Sequence, residues 1–181
     1  MKKPLYVLDA FAIIFRSYYA FINNPMRGTD DKNISAVFGL FSTVFKIFTL
    51  YKPEYFAVLM DSRTPTFRHE MFKEYKANRA KAPDDLFEQV PIIEELCELL
   101  NVPIIRADGF EADDLMGTYA RICVEEGREI KIISGDKDIL QLVNDLVHVL
   151  RPEKGGTYTE MDENEILNGW GIRADQIIDY L

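Results

Sequence analysis

Seven carboxylates stand out by where they fall along the chain: Asp9, Asp61, Glu111, Asp113, Asp114, Asp136 and Asp138. Asp9 closes the apolar run LYVLDA (5–10), and Asp61 closes YFAVLMD (55–61). Glu111, Asp113 and Asp114, in the stretch GFEADDLMG, follow VPIIRA (102–107). Asp136 and Asp138 follow EIKIIS (129–134). Each run is short, continuous and apolar, the pattern of a strand buried on both faces. Parallel strands would deliver all seven acids to one edge of one sheet. Carboxylates crowded within a few ångströms repel and are driven toward protonation, and a divalent cation relieves that repulsion. Oxygen donors without a Cys/His cluster point to Mg2+, or Mn2+, rather than Zn2+. Any single acid could instead cap a helix, Asp136 or Asp138 before Ile139, or Glu111 in a first turn. Seven such caps at four strand ends is the weaker account.

The segments between these runs must hold the acids in place. Residues 11–22 read as a helix, and NNPMRGTDDKN (23–33) as a polar loop. Val37, Leu40, Phe41, Val44, Phe45 and Phe48 recur at helical spacing. Asp84 and Asp85 open another helix, with Leu86, Val90, Ile93, Leu96, Leu99 and Leu100 on its apolar side. Pro91 either kinks it or marks its first turn. The acidic stretch begins a helix that ends near Gly127. LVHVL (146–150) predicts a short fifth strand, GGTYTE a hairpin turn or edge, and two weak helices close the chain. Strand and helix alternate four times. That predicts an α/β fold, a mainly parallel central sheet with helices on both faces and a ligand site beyond the carboxyl ends of the strands. A length of 181 residues suits one domain, 1–181.

Charge is uneven. The chain is net −9, which argues against a general nucleic-acid coat. Yet Arg63, Arg68, Lys73, Lys76, Arg79 and Lys81 face only Glu70 and Glu74 over residues 63–81, with Phe67, Phe72 and Tyr75 between them. A helix over 69–82 would put Phe72, Lys76 and Arg79 on one face. Cations grip phosphates and aromatics stack on unpaired bases. Beside a metal cluster this stretch fits a phosphodiester grip, and metal-assisted hydrolysis of nucleic acid is the natural reaction. No G-x-x-x-x-G-K-[ST] or G-x-G-x-x-G motif occurs, which disfavours nucleotide hydrolysis and dinucleotide redox. The start, MKKPLYVLDAFAIIF, imitates a signal peptide, but Asp9 and Arg16 interrupt it. Cys97 and Cys123 sit in apolar patterns as free thiols, and a cytoplasmic, monomeric protein is expected.

VLDAFAIIFRSYYAF, DSRTPTFRHEMFKEYKANR, GFEADDLMGTYA and SGDKDILQLV together resemble the 5′→3′ exonuclease domain of bacterial DNA polymerase I. That family lies in the flap endonuclease superfamily, with a PIN-like core. The resemblance implies a first metal site at Asp9, Asp61, Glu111 and Asp113. It implies a second metal served by Asp114, Asp136 and Asp138, two Mg2+ ions in all with Mn2+ as substitute. Lys76 and Arg79 would meet the scissile phosphate, Tyr75 would stack on a base, and Arg16 and Arg68 would be further substrate contacts. The expected substrate is DNA with 5′ ends or flaps, and RNA primers, in primer removal and repair, with a polymerase region linked in longer chains. Ala10 departs from the family's usual glycine. The chain stops before the family's next acidic motif and its helix-hairpin-helix, so reduced or lost activity is expected.

Two other readings remain. A haloacid dehalogenase-like phosphatase also places Asp after its first strand, but positions 11 and 140 carry Phe11 and Leu140 where it needs Asp. A non-catalytic DNA-binding module with a residual metal pocket would not need all seven acids.

Overall fold

The computed structural model describes residues 2–77 and 81–181. Its centre is a six-stranded sheet in the order β3-β2-β1-β4-β5-β6. The strands are β1 (Leu5–Asp9), β2 (Tyr55–Leu59), β3 (Ile104–Ile105), β4 (Ile130–Ile133), β5 (Val147–Pro152) and β6 (Tyr158–Met161). The first five run parallel and β6 is antiparallel to β5. The positive-φ Gly155 and Gly156 turn the chain between them. The helices are α1 (Ala10–Ala20), α2 (Ser35–Tyr51), α3 (Phe67–Met71), α4 (Asp84–Phe87), α5 (Val90–Leu99), α6 (Ala112–Glu125), α7 (Glu163–Trp170) and α8 (Ile177–Tyr180).

Alternation along the strands sorts two cores. Tyr6, Leu8, Phe56, Val58 and Ile133 pack with α1, α2 and α5 on one face. Val7, Leu59, Ile130, Ile132 and Val149 pack with α6 and α7 on the other. Both faces are covered, which is why β1, β2 and β3 read as unbroken apolar runs, while β4 and β5 admit Lys131, His148 and Arg151. The chain builds β1, β2 and β3 outward in one direction, then returns to add β4 on the other side of β1. The strand order therefore reverses between β1 and β4, and the crevice beyond their carboxyl ends is where such sheets bind ligands.

Several sequence expectations need correction. The third strand shrinks to two residues. The helix expected from Asp84 is two helices, with Gln89 between them and Pro91 in the first turn of α5, where its missing N–H costs nothing. The side chain of the buried Gln89 accepts from the Ala36 N–H at 2.8 Å, satisfying the start of α2. Phe45 and Phe48 lie on the outer side of α2, 57% and 40% exposed, while Ile47 takes the core position. Of the helix expected over 69–82, the described residues show only α3, which ends at Met71. Met71 at its end and Phe72 after it are exposed, and a short helix with no buried face does not extend. Lys76 then takes a left-handed backbone, φ +59°, so Phe72 and Lys76 do not share a helical face. After β4 comes a single 3-10 turn, Asp138–Leu142, instead of a helix.

Candidate functional site

The carboxyl edge of the sheet holds two adjoining cavities. The inner, about 200 Å³, is lined by Asp9, Asp61, Glu111, Asp113 and Asp136, together with Lys76, Phe11 and Phe15. The outer, about 640 Å³, is lined by Asp113, Asp114 and Asp138, with Glu111, Arg68, Tyr75 and Arg121. Asp113 and Glu111 border both. Five of the seven acids thus meet in the inner cavity, and Asp114 and Asp138 face the outer one.

Asp9, Asp61 and Glu111 are each fixed by neighbours. Asp9 ends β1 and begins α1: its Oδ1 accepts from the Ala12 N–H at 3.1 Å and its Oδ2 from the Ser134 hydroxyl at 2.8 Å. Ser134 follows β4, opposite Asp9 across the parallel pair, and is fully buried. Its oxygen also accepts from the Asp136 N–H at 3.1 Å, so one serine ties two acids. Asp61 Oδ1 accepts from the Ala112 N–H at 2.7 Å, at the start of α6. The Asp61 backbone oxygen accepts from Arg106 Nε at 2.9 Å, and Arg106 is held by Glu94 at 2.6 Å. Glu111 caps α6 and is buried. Its carboxylate accepts from Lys76 Nζ at 2.8 Å and from the Tyr75 hydroxyl at 3.0 Å.

The electrostatics follow from crowding. Burial, opposed by the Ser134 and Ala12 hydrogen bonds and added to by Asp113 and Asp61, raises the Asp9 carboxyl to about 6. Asp113 also rises to about 6, through desolvation first and then Asp136 and Asp61. Its side chain reaches solvent, which screens part of that effect. Asp114 moves the other way: the Arg68 guanidinium beside it holds its carboxyl below the usual range. Burial works against the charge on Lys76, yet pairing with Glu111 raises it on balance.

The basic residues fall in different places. Lys76 points into the inner cavity. Tyr75 and Arg68 line the outer one, and Arg68 forks onto Asp114 at 2.7 and 2.8 Å. Arg16 is exposed on α1 and lines neither cavity. Arg79 lies outside the described residues. Sequence reasoning passed over Ser134, Arg106 and Glu94. Ser134 stands in the quoted SGDKD stretch, but a lone serine at a strand end carries no distinguishing signal. At the opposite end of the sheet, ligand atoms of Glu129, His148 and Glu160 lie within 4.8 Å of one another. The Lys131 ammonium already sits between the two glutamates, at 3.2 and 2.7 Å, and compensates them.

A parallel sheet with acids at its topological reversal defines the PIN-like 5′-nuclease fold. The chain belongs to the 5′-3′ exonuclease family, matching the sequence model of its N-terminal, resolvase-like domain over residues 4–171. It is 43% identical over 178 residues to DNA polymerase I of Treponema pallidum, covering 98% of this chain and 18% of that protein. It is 32% identical to a 5′-3′ exonuclease of Aquifex aeolicus, covering 99% of this chain and 60% of the relative. The chain therefore spans 18% of the first relative's length and 60% of the second's. Among solved structures it resembles T5 5′-exonuclease with bound zinc ions, at TM-score 0.73 and 23% identity over 97% of this chain and 64% of that one. It also resembles a T5 D15 flap endonuclease complex with DNA and metal ions, at TM-score 0.72 and 22% identity over the same shares, 97% and 64%.

Proposed function

We propose that the two cavities form a divalent-metal centre that hydrolyses DNA phosphodiester bonds at 5′ ends and flaps. The observation that carries this reading is the inner cavity. Five carboxylates converge there, with Lys76 the one ammonium reaching in among the described residues. Asp9 is held there with its carboxyl raised to about 6, a group short of positive charge. The donors are all hard oxygens, which fits Mg2+, with Mn2+ as a substitute. Asp9, Asp61, Glu111, Asp113 and Asp136 would hold one ion, and Asp113, Asp114 and Asp138 would face a second. Bound there, such ions supply Lewis acidity and a water nucleophile at neutral pH.

The chain's own residues do the rest. Ser134 and the Ala112 N–H fix the carboxylates, so little reorganisation is needed when a phosphate arrives. Lys76 and Arg68 bring positive charge to the rim. Lys76 can exchange Glu111 for a phosphate oxygen, since an ammonium is a point charge with rotatable donors. Tyr75, at the mouth, offers a ring face to an unpaired base. We further propose Arg16, exposed beside this edge, and Arg79 as contacts to the substrate strand. The substrate class extends to RNA primers, and the polymerase region of the longer relatives would act on the same DNA.

Calorimetric titration of Mn2+, run beside cleavage of a 5′-labelled flap duplex, tests the reading. The wild type should bind ion and release short 5′ products. Asp113→Asn should lose ion affinity and cut cleavage about 100-fold or more. Negligible heats in both proteins would overturn the metal centre. Hydrolysis of p-nitrophenyl phosphate would favour the phosphatase reading instead.

A further inference from the structure

Asp113 and Asp114 are adjacent on α6, yet their surroundings differ. Asp113 has no lysine or arginine within ion-pair distance among the described residues and borders both cavities. Asp114 accepts three N–H donors: Arg68 Nη1 at 2.7 Å and the Glu111 N–H at 2.9 Å on Oδ2, and Arg68 Nη2 at 2.8 Å on Oδ1. Of about four acceptor positions on a carboxylate, three are filled. The guanidinium is backed by the Phe67 ring, 4.6 Å away, and Phe67 packs on Phe110 with ring centres 5.8 Å apart. This pair is anchored on both sides. The neighbouring Lys76–Glu111 contact is a single ammonium on a left-handed backbone. A forked guanidinium is the stronger and more directional partner.

We propose that Arg68 is a positioning residue that sets the strength of the outer cation site. By forking Asp114 it cancels one negative charge in the outer cavity and aims that carboxylate along α6. Among the described residues, Asp113 and the exposed Asp138 remain as the carboxylates there without an ion-pair partner. A cation held by so few protein oxygens takes its other ligands from water or from the phosphate. The outer site is thereby kept weak beside a stronger inner one. This inference rests on the metal-centre reading above.

Mn2+ binding to the full chain, followed by calorimetry and by electron paramagnetic resonance of the free ion, tests it. The wild type should show one tighter and one weaker ion. Arg68→Met should tighten the weaker ion about tenfold, since a full charge is restored to that cavity, and shift the tighter ion by less, through the looser 3.6 Å contact of Arg68 with Glu111. Arg68→Lys, which keeps charge without the fork, should shift it in the same direction by less. Removing both members of the pair, Asp114→Asn with Arg68→Met, should return the weaker ion to near its wild-type affinity. A merely structural role would lower the melting temperature without tightening any ion. The inference is overturned if Arg68→Met melts like the wild type and leaves the weaker ion unchanged or weaker. It is also overturned if the double variant holds the weaker ion as tightly as Arg68→Met alone. Should Arg68→Met fail to fold, Arg68→Lys decides the question by the same sign. If the wild type binds no Mn2+, the metal-centre reading falls first and this one with it.

Discussion

At the scale of single residues, the Asp9 carboxylate and the Asp136 backbone are both held by one hydroxyl. Ser134 donates to Asp9 and accepts from the Asp136 N–H. Ser134→Ala removes the donor and leaves a buried carboxylate with only the Ala12 N–H. Partners that orient a metal ligand typically contribute 10–100-fold to affinity or rate. We therefore expect Ser134→Ala to bind Mn2+ about tenfold more weakly while melting within a few degrees of the wild type. An unchanged binding isotherm would show that the hydroxyl is structural only. The acids themselves were legible in the sequence because each stands at the end of an apolar run. Ser134 was not, since nothing in a one-dimensional pattern tells which residue of β4 lies opposite Asp9.

At the scale of elements, α1 and α2 approach most closely at Gly39. A Cβ there would meet the Ser17 side chain at 2.1–2.2 Å, closer than atoms can pack. Gly39→Ala must push the helices apart or force Ser17 into another rotamer. Overpacking of this kind costs about 1–3 kcal/mol. For a chain of this length that lowers the melting temperature by several degrees, measured by circular dichroism. Pairing Gly39→Ala with Ser17→Gly should recover most of the loss. The segment 67–77 makes the opposite point. Its charges and aromatics were legible, but its backbone was not. The pattern suits a helix over 69–82, and the structure ends the helix at Met71 because no apolar side of it is buried. Tertiary ion pairs to α6 then decide the path that local propensity leaves open.

At the scale of the whole molecule, the acidic centre opposes the stability of the fold that builds it. Asp9 is 5% exposed and its carboxyl sits at about 6, against an ordinary value near 4. Between those values the folded chain holds a proton that the unfolded chain has released. Stability from this group is thus complete below about pH 4 and is lost as pH rises through 6. The displacement corresponds to at most ~3 kcal/mol at 1.36 kcal/mol per pH unit. Asp114, Glu94 and Glu160 are lowered, so their contributions fade only below the ordinary carboxylate range. Thermal melts in chelator should therefore show a rise of several degrees from pH 7 to pH 5. Saturating Mg2+ should abolish or reverse that trend, because the ion binds the ionised form. A flat profile in chelator would contradict the burial assigned to Asp9.

The sequence by itself determined the alternation of strand and helix, the parallel sheet, and the acids at the strand ends. All of these are periodic or positional signals that local physics writes into the chain. Only the tertiary structure decided the strand order, with its reversal between β1 and β4. It also decided the division of seven acids into an inner group of five and an outer pair, and the capture of Asp114 by Arg68. Those outcomes depend on which residues become neighbours across 46 or 125 positions of chain. Such contacts are set by packing both faces of one sheet, and no local pattern encodes them.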